Sequence, residues 1–292
     1  MHRFLLYNGE IRGTNEALVS PGQTGFMNGW GVFSTLQVLD GVLFEYERHY
    51  ARMKRDAALM HVPLQYSSDE LEQQLLSLVS ANGIENAVLR VAIVRNRGGA
   101  FEGPGNGRDC DLVAFTADLT NWGSGVRLYY VPNGRYGASP FAGTKITSWA
   151  QNLTWYEEAH QRGYDEVILL NEHGQVSECT SANVFIIRGN TVSTPPLSTS
   201  GCLPGVTRGV LLEQIHVPGI SILEQEFTPS ELDSADGVFI TSTTRNVLPV
   251  LEVGNTRLKQ APDVVEKLQA AFRDHQRAYL QSHLKKTGAL IT

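Results

Sequence analysis

The sequence predicts an α+β protein of two domains with antiparallel-rich sheets and helices, and three observations carry that prediction. Short apolar runs flank the dipeptides Asn8-Gly9 and Asp40-Gly41, two-residue turn signals of tight antiparallel hairpins, where Gly tolerates positive φ. Stretches of helical periodicity alternate with such runs along the whole chain. The 292 residues suffice for two domains sharing a cleft. A break near Asn121–Gly125 divides them into a small α/β domain over 1–122 and a larger domain over 123–292.

The elements follow in order. FLLYNGEI (4–11) is a hairpin, and VFSTLQVL with VLFEY flanks the second turn. From Glu47 to His61, Tyr50, Met53, Ala57 and Met60 recur on one helical face, and Pro63 marks the stop. A second helix covers 68–82 and ends at Asn82-Gly83; strands follow at 87–94 and 111–119. The glycine-rich stretch between them, around 98–107, reads as a loop of the kind that closes over ligands. In the second half, VRLYYV (126–131) is a strand and Trp149 to Arg162 a helix. DEVILLNEHGQVSE and NVFIIRGNTVST are hairpins, and a helix spans 205–215, entered through Pro204-Gly205. Strand, polar turn and strand fill 237–253, and an amphipathic helix near 262–284 presents Val265, Leu268 and Phe272 on one face.

Composition excludes several functions. Apolar residues at 42% and charged residues at 18% describe an ordinary globular chain. A net charge of −6 argues against a nucleic-acid partner, since no cationic excess exists to neutralise phosphates. Cys110, Cys179 and Cys202 form no CxxC pair and no zinc spacing, which fits a reducing, cytoplasmic compartment. MHRFLLYNGE has too short an apolar run for a signal peptide, and no stretch approaches the ~20 apolar residues of a membrane span. The histidines show no HExxH, and neither a GxSxG elbow nor a phosphate-loop motif is present.

Five places carry candidate chemistry. Lys145, in FAGTKITSWAQN, has small, polar or aromatic neighbours and no charge run; alone it reads as readily as a surface lysine. Glu178 ends a strand and is followed by Cys, Thr, Ser and Ala, an odd setting for a solvated edge. A carboxylate buried there suits a protonated ring nitrogen, and the bland alternative is a backbone cap. Gly205, Val206 and Thr207 open a helix, whose free N–H groups and dipole attract anions. Thr241 to Thr244 place four hydroxyl residues in a turn, a second set of phosphate donors or a plain hairpin. Arg52 lies on the first helix, where its guanidinium reaches a phosphate or forms a surface ion pair.

Taken in order, Arg52, Lys145, Glu178 with SANVF behind it, LPGVTR and TSTT resemble the class IV aminotransferases, the pyridoxal-phosphate enzymes of fold type IV. That group includes branched-chain aminotransferases, D-amino-acid aminotransferases and aminodeoxychorismate lyases. The resemblance runs from YNGE to LPV (248–250), and it rests on order and spacing rather than on one motif. It implies a fold type IV architecture with the active site in the interdomain cleft and the cofactor bound by the larger domain. Lys145 would carry pyridoxal 5'-phosphate as a Schiff base and shuttle the α-proton. Glu178 would pair with the pyridine nitrogen. Arg52, the backbone of Val206, Thr207 and Thr243 would hold the phosphate. A homodimer is implied, because family active sites take residues from a partner subunit.

The substrate side is a mosaic. Ser34 stands in VFSTLQV where many members, branched-chain enzymes included, have glutamate, and with Thr35 it is similar to the lyase branch, as is SECTSANVF. LPGVTR and TSTT are similar to branched-chain enzymes. Arg90 stands where those enzymes have an arginine near the substrate, but Val88 replaces their tyrosine. Arg95 stands where the lyases and D-amino-acid enzymes have one, and Trp149 replaces an aromatic or aliphatic residue near the cofactor. Arg90, Arg95 and Arg245 are the cations available for carboxylates, with ion pairs as their alternative role; Ser34 and Thr244 complete the substrate candidates. The expected activity is branched-chain-like transamination of an α-amino acid with an oxo acid acceptor. The alternatives are the lyase, which eliminates pyruvate, and the D-amino-acid aminotransferase.

Overall fold

The computed structural model describes residues 1–16, 23–99 and 107–286. Most of the 98–107 loop therefore lies outside the described residues. Contacts divide the chain into two compact units: Met1–Thr120 with Thr144–Trp149 and Ala278–Thr292, and Asn121–Gly143 with Ala150–Arg277. The stretch around Lys145 thus packs with the N-terminal segment.

The first unit holds β1 (Phe4–Tyr7), β2 (Glu10–Gly13), α1 (Thr24–Asn28), β3 (Gly31–Leu39), β4 (Val42–Leu43), α2 (Tyr46–Leu59), α3 (Ser68–Asn82), β5 (Ala87–Arg95) and β6 (Cys110–Ala117). The strands form one antiparallel sheet in the order β2-β1-β6-β5-β3-β4. Both expected turns form, with positive φ at Asn8 and Gly9 and at Asp40 and Gly41. The strand expected over VLFEY stops at Leu43, because Glu45 turns left-handed (φ 55°) and opens α2. Ser67 and Glu70 close a capping box at the start of α3.

Strand alternation then sorts side chains between two faces. Val32, Ser34, Leu36 and Val38 of β3 pair with Ile93, Val91, Leu89 and Ala87 of β5. Their apolar members join Leu71, Leu75 and Leu78 of α3 in the core. Phe33 and Thr35 pair with Ala92 and Arg90 and belong to the other face.

The second unit holds β7 (Val126–Val131), α4 (Ala150–Gln161), β8 (Glu166–Leu170), β9 (Val176–Cys179), β10 (Asn183–Arg188), β11 (Thr191–Thr194), α5 (Leu197–Ser200) and α6 (Val206–Glu213). It continues with β12 (Ser221–Glu224), α7 (Pro229–Asp233), β13 (Gly237–Ser242), β14 (Asn246–Val253), β15 (Thr256–Arg257) and the start of α8 (Pro262–Lys286). Its sheet runs β12-β11-β10-β13-β14-β7-β8-β9, with β15 on β14. Three of its pairings are parallel: β11 with β12, β14 with β7, and β7 with β8. The hairpins β8-β9, β10-β11 and β13-β14 keep it antiparallel-rich. Val265, Leu268 and Phe272 of α8 are buried as their spacing predicts. Among the described residues, no helix is long and apolar enough to cross a membrane.

Candidate active site

In the first unit, residues 144–149 run along the start of β3. Phe33 N donates to the Lys145 carbonyl at 3.0 Å and Thr147 N to the Gly31 carbonyl at 2.9 Å, with Ile146 bridged to Val32. The approach is close: a Cβ at Gly29 would stand 2.9 Å from the Ser148 Cα. From the other side, Lys145 N donates to Asp56 Oδ2 of α2 at 3.0 Å. Lys145 Nζ lies 4.6 Å from the centre of the Phe33 ring. The Arg90 guanidinium lies 3.9 Å from the same ring and 5.8 Å from that of Trp149. Among the described residues, Arg90 has no ion pair or hydrogen bond.

The buried stripe of α2 is unusual. Sequence periodicity places Tyr50, Met53, Ala57 and Met60 there, whereas the buried set is Tyr46, His49, Arg52, Met53, Asp56 and Ala57. His49, Arg52 and Asp56 repeat at helical spacing, so three polar groups share one covered face. Arg52 Nη2 donates to Ser34 Oγ at 3.0 Å, and the same hydroxyl lies 2.8 Å from His49 Nδ1. Burial pushes the Arg52 guanidinium down to about 10, with Asp56 acting in the opposite direction, so it stays charged at neutral pH.

Burial and the positive charges of Arg52 and Lys145 hold His49 well below its usual value, so its ring is neutral. This depression predicts acid sensitivity. As pH falls through the unfolded value of about 6.5, the unfolded chain takes a proton that the folded chain refuses, and His49 costs up to about 1.4 kcal/mol of stability per pH unit. Urea midpoints at pH about 7.5 and 5.5 should therefore lie closer together in His49→Gln than in the parent. An unchanged separation would contradict the neutral assignment.

In the second unit, β9 presents Glu178, 6% exposed. Arg135 Nε donates to Oε1 at 2.8 Å, and Leu203 N donates to Oε2 at 3.0 Å. Three residues after Leu203, α6 begins at Val206 behind Gly205, with no side-chain cap on its N-terminus. A side chain is excluded at Gly205, where a Cβ would stand 2.1 Å from Asn183 Oδ1. The first N–H groups of α6 thus keep their capacity for an anion. Thr207 is buried at this end. Thr243 and Thr244 occupy the turn between β13 and β14, where Thr244 Oγ1 lies 3.4 Å from Ser242 Oγ. The Thr241 hydroxyl is buried and has no partner among the described residues.

Three substrate candidates have other commitments. Ser34 is fully buried and faces α2, on the opposite sheet face from Arg90, because neighbouring strand residues point to opposite sides. Arg95 lies over Trp30 at 4.3 Å and donates to the carbonyls of Arg97 (2.6 Å) and His61. Arg245 is buried against Glu166 (3.4 Å), donates to Ser181 Oγ at 2.8 Å, and stacks on Trp122 at 4.0 Å. Sequence reasoning missed Glu166, His49, Asp56, Arg135 and Asn152. The only local signal was the triple polar repeat in HYARMKRD.

Taken unit by unit, the residues suit different parts of a phosphorylated aldehyde cofactor with a basic ring nitrogen. The first unit supplies a primary amine on a pinned backbone. The second supplies a buried carboxylate and, among the described residues, a helix start without a side-chain cap and a buried hydroxyl without a partner. No group of His, Cys, Asp and Glu suited to a metal occurs among the described residues.

The family model for amino-transferase class IV matches residues 31–253. The chain is 27% identical to a putative branched-chain-amino-acid aminotransferase of Methanocaldococcus jannaschii, over 91% of this chain and 94% of that one. It is 30% identical to the D-alanine aminotransferase of Bacillus licheniformis, over 90% and 93% respectively. The branched-chain aminotransferase structure of Thermoproteus uzoniensis, solved with norvaline, superposes with a TM-score of 0.86 at 25% identity, covering 98% of both chains. With pinned lysine, buried glutamate and uncapped helix in a fold of this type, the chain belongs to the class IV aminotransferases and is a pyridoxal-phosphate-dependent enzyme.

Proposed function

We propose that the enzyme transfers the amino group of an α-amino acid to an oxo acid acceptor, with a preference like that of the branched-chain aminotransferases. The observation that carries this reading is Arg90. It is a largely buried guanidinium without an ionic partner among the described residues, and it shares the Phe33 ring with Lys145 Nζ. A partly desolvated cation on the same ring as the reacting amine selects carboxylates, through a charge-assisted hydrogen bond of about 1.5–3 kcal/mol. Burial lowers the Arg90 pKa from its ordinary value, and a bound carboxylate acts in the opposite direction.

When bound, pyridoxal phosphate supplies an electron sink for the charge that develops at the substrate α-carbon. The remaining work belongs to the chain. In this reading Lys145 Nζ holds the cofactor and then takes and returns the α-proton. Arg52, the N–H of Val206, Thr207 and Thr243 would hold the phosphate, and Glu178 would accept the ring N–H. Phe33 and Trp149 cover Arg90 and exclude water from it. Thr244 remains a substrate contact in this reading, whereas Ser34, Arg95 and Arg245 act as supports for other groups. The family's use of a partner subunit supports a homodimer.

The D-alanine aminotransferase relative supports a second donor class, the D-amino acids. Purified protein is mixed with leucine or isoleucine and 2-oxoglutarate, and glutamate formation is the expected result. D-Alanine as the only active donor would move the enzyme to the second class. Pyruvate released from aminodeoxychorismate, without glutamate formation, would make it a lyase.

A further inference from the structure

We infer that Arg135 is a positioning residue that holds the Glu178 carboxylate in one orientation, in which it can accept the N–H of the cofactor ring. The inference rests on the cofactor reading above and adds a residue to it. Arg135 follows β7, and its backbone N–H donates to the Leu170 carbonyl at the end of β8 at 3.1 Å. Its side chain is forked. Nε donates to Glu178 Oε1 at 2.8 Å, while Nη1 donates to Asn152 Oδ1 at 3.2 Å. Asn152 is itself fixed, donating through Nδ2 to the Thr180 carbonyl at 3.0 Å. Leu203 N occupies the other carboxylate oxygen, Oε2. The side chains of Arg135 and Glu178 are only 22% and 8% exposed, so solvent screens the pair weakly.

The chemistry follows from this geometry. Two N–H donors, one of them on the Arg135 guanidinium itself, fix the two carboxylate oxygens. A buried carboxylate without them competes for the proton of a ring nitrogen, and the ring then loses its pull on electrons. Each oxygen here uses one acceptor site on the protein, so a site remains for a ring N–H. Lysine in place of Arg135 keeps the charge but not the fork that reaches Glu178 and Asn152 together.

The test uses cofactor-loaded full-length protein. Its visible spectrum is recorded across pH, and cofactor released on dilution gives an apparent dissociation constant. Arg135→Met should weaken retention roughly ten- to hundredfold, the loss of one charge-assisted hydrogen bond, and should move the pH at which the spectrum changes. Arg135→Lys should recover part of both. In the Glu178→Gln background, Arg135→Met should add less than about threefold, because it acts through Glu178. Equal losses in both backgrounds would overturn the inference, as would unchanged retention and spectrum in Arg135→Met. Where Arg135→Met also lowers the melting temperature, Arg135→Lys decides by the same spectral shift. A parent protein that retains no pyridoxal phosphate would instead overturn the cofactor reading itself.

Discussion

Lys145→Ala is expected to lower the transamination rate by roughly 10⁴-fold or more and to remove the visible absorbance of the bound cofactor. The backbone there is held independently of the side chain. Asp56 accepts its N–H, and Phe33 donates to its carbonyl. Truncation at Cβ leaves both bonds, so the variant should melt near the parent, and the lost rate is then chemical rather than structural. Lys54, by contrast, is exposed on α2, and Lys54→Ala should leave rate and spectrum unchanged. A Lys145→Ala protein that kept the absorbance and the activity would end this assignment.

Arg245→Met should destabilise the protein by about 3–5 kcal/mol, because it leaves the fully buried Glu166 without its cation. The Glu166 carboxylate keeps bonds from Thr180, Ser181 and the Val167 N–H, but the substitution removes the cation beside it. Stacking of the guanidinium on Trp122 is lost as well. Denaturant unfolding measures the effect. Unchanged stability with a raised KM for amino and oxo acids would return Arg245 to the substrate pocket.

Much of the fold was legible because local chemistry and tertiary structure agree there. Asn8-Gly9 and Asp40-Gly41 specify their turns, and α3 spans residues 68–82 as its periodicity and terminal Asn82-Gly83 predict. Short elements were not legible. The two-residue β4 ends where Glu45 turns left-handed, and α1, α5 and α7 are too brief for periodicity to register. Nor does a single boundary along the chain represent a segment such as 144–149, which pairs with β3 more than a hundred residues earlier.

The limits at the site have the same origin. Lys145, Glu178 and the start of α6 stood out through their order along the chain. Their supports did not, because Asp56, Arg135 and Asn152 are defined by contacts across 89, 43 and 28 residues. Arg90, Arg95 and Arg245 are equivalent as letters. Only packing separates a guanidinium stacked on Phe33, without an ionic partner among the described residues, from one tied to carbonyls and one buried against Glu166. Ser34 shows the same lesson at the scale of one residue: a shift of one position along β3 moves a side chain from the Arg90 face to the α2 face.

The central claim is that Lys145 carries the cofactor. Reduction of the purified protein with borohydride fixes a lysine-bound pyridoxal phosphate irreversibly, and peptide mass mapping then locates it. The added pyridoxyl-phosphate mass is expected on the peptide containing Lys145 and on no other. A protein without the label, or with the label on a different lysine, would contradict it.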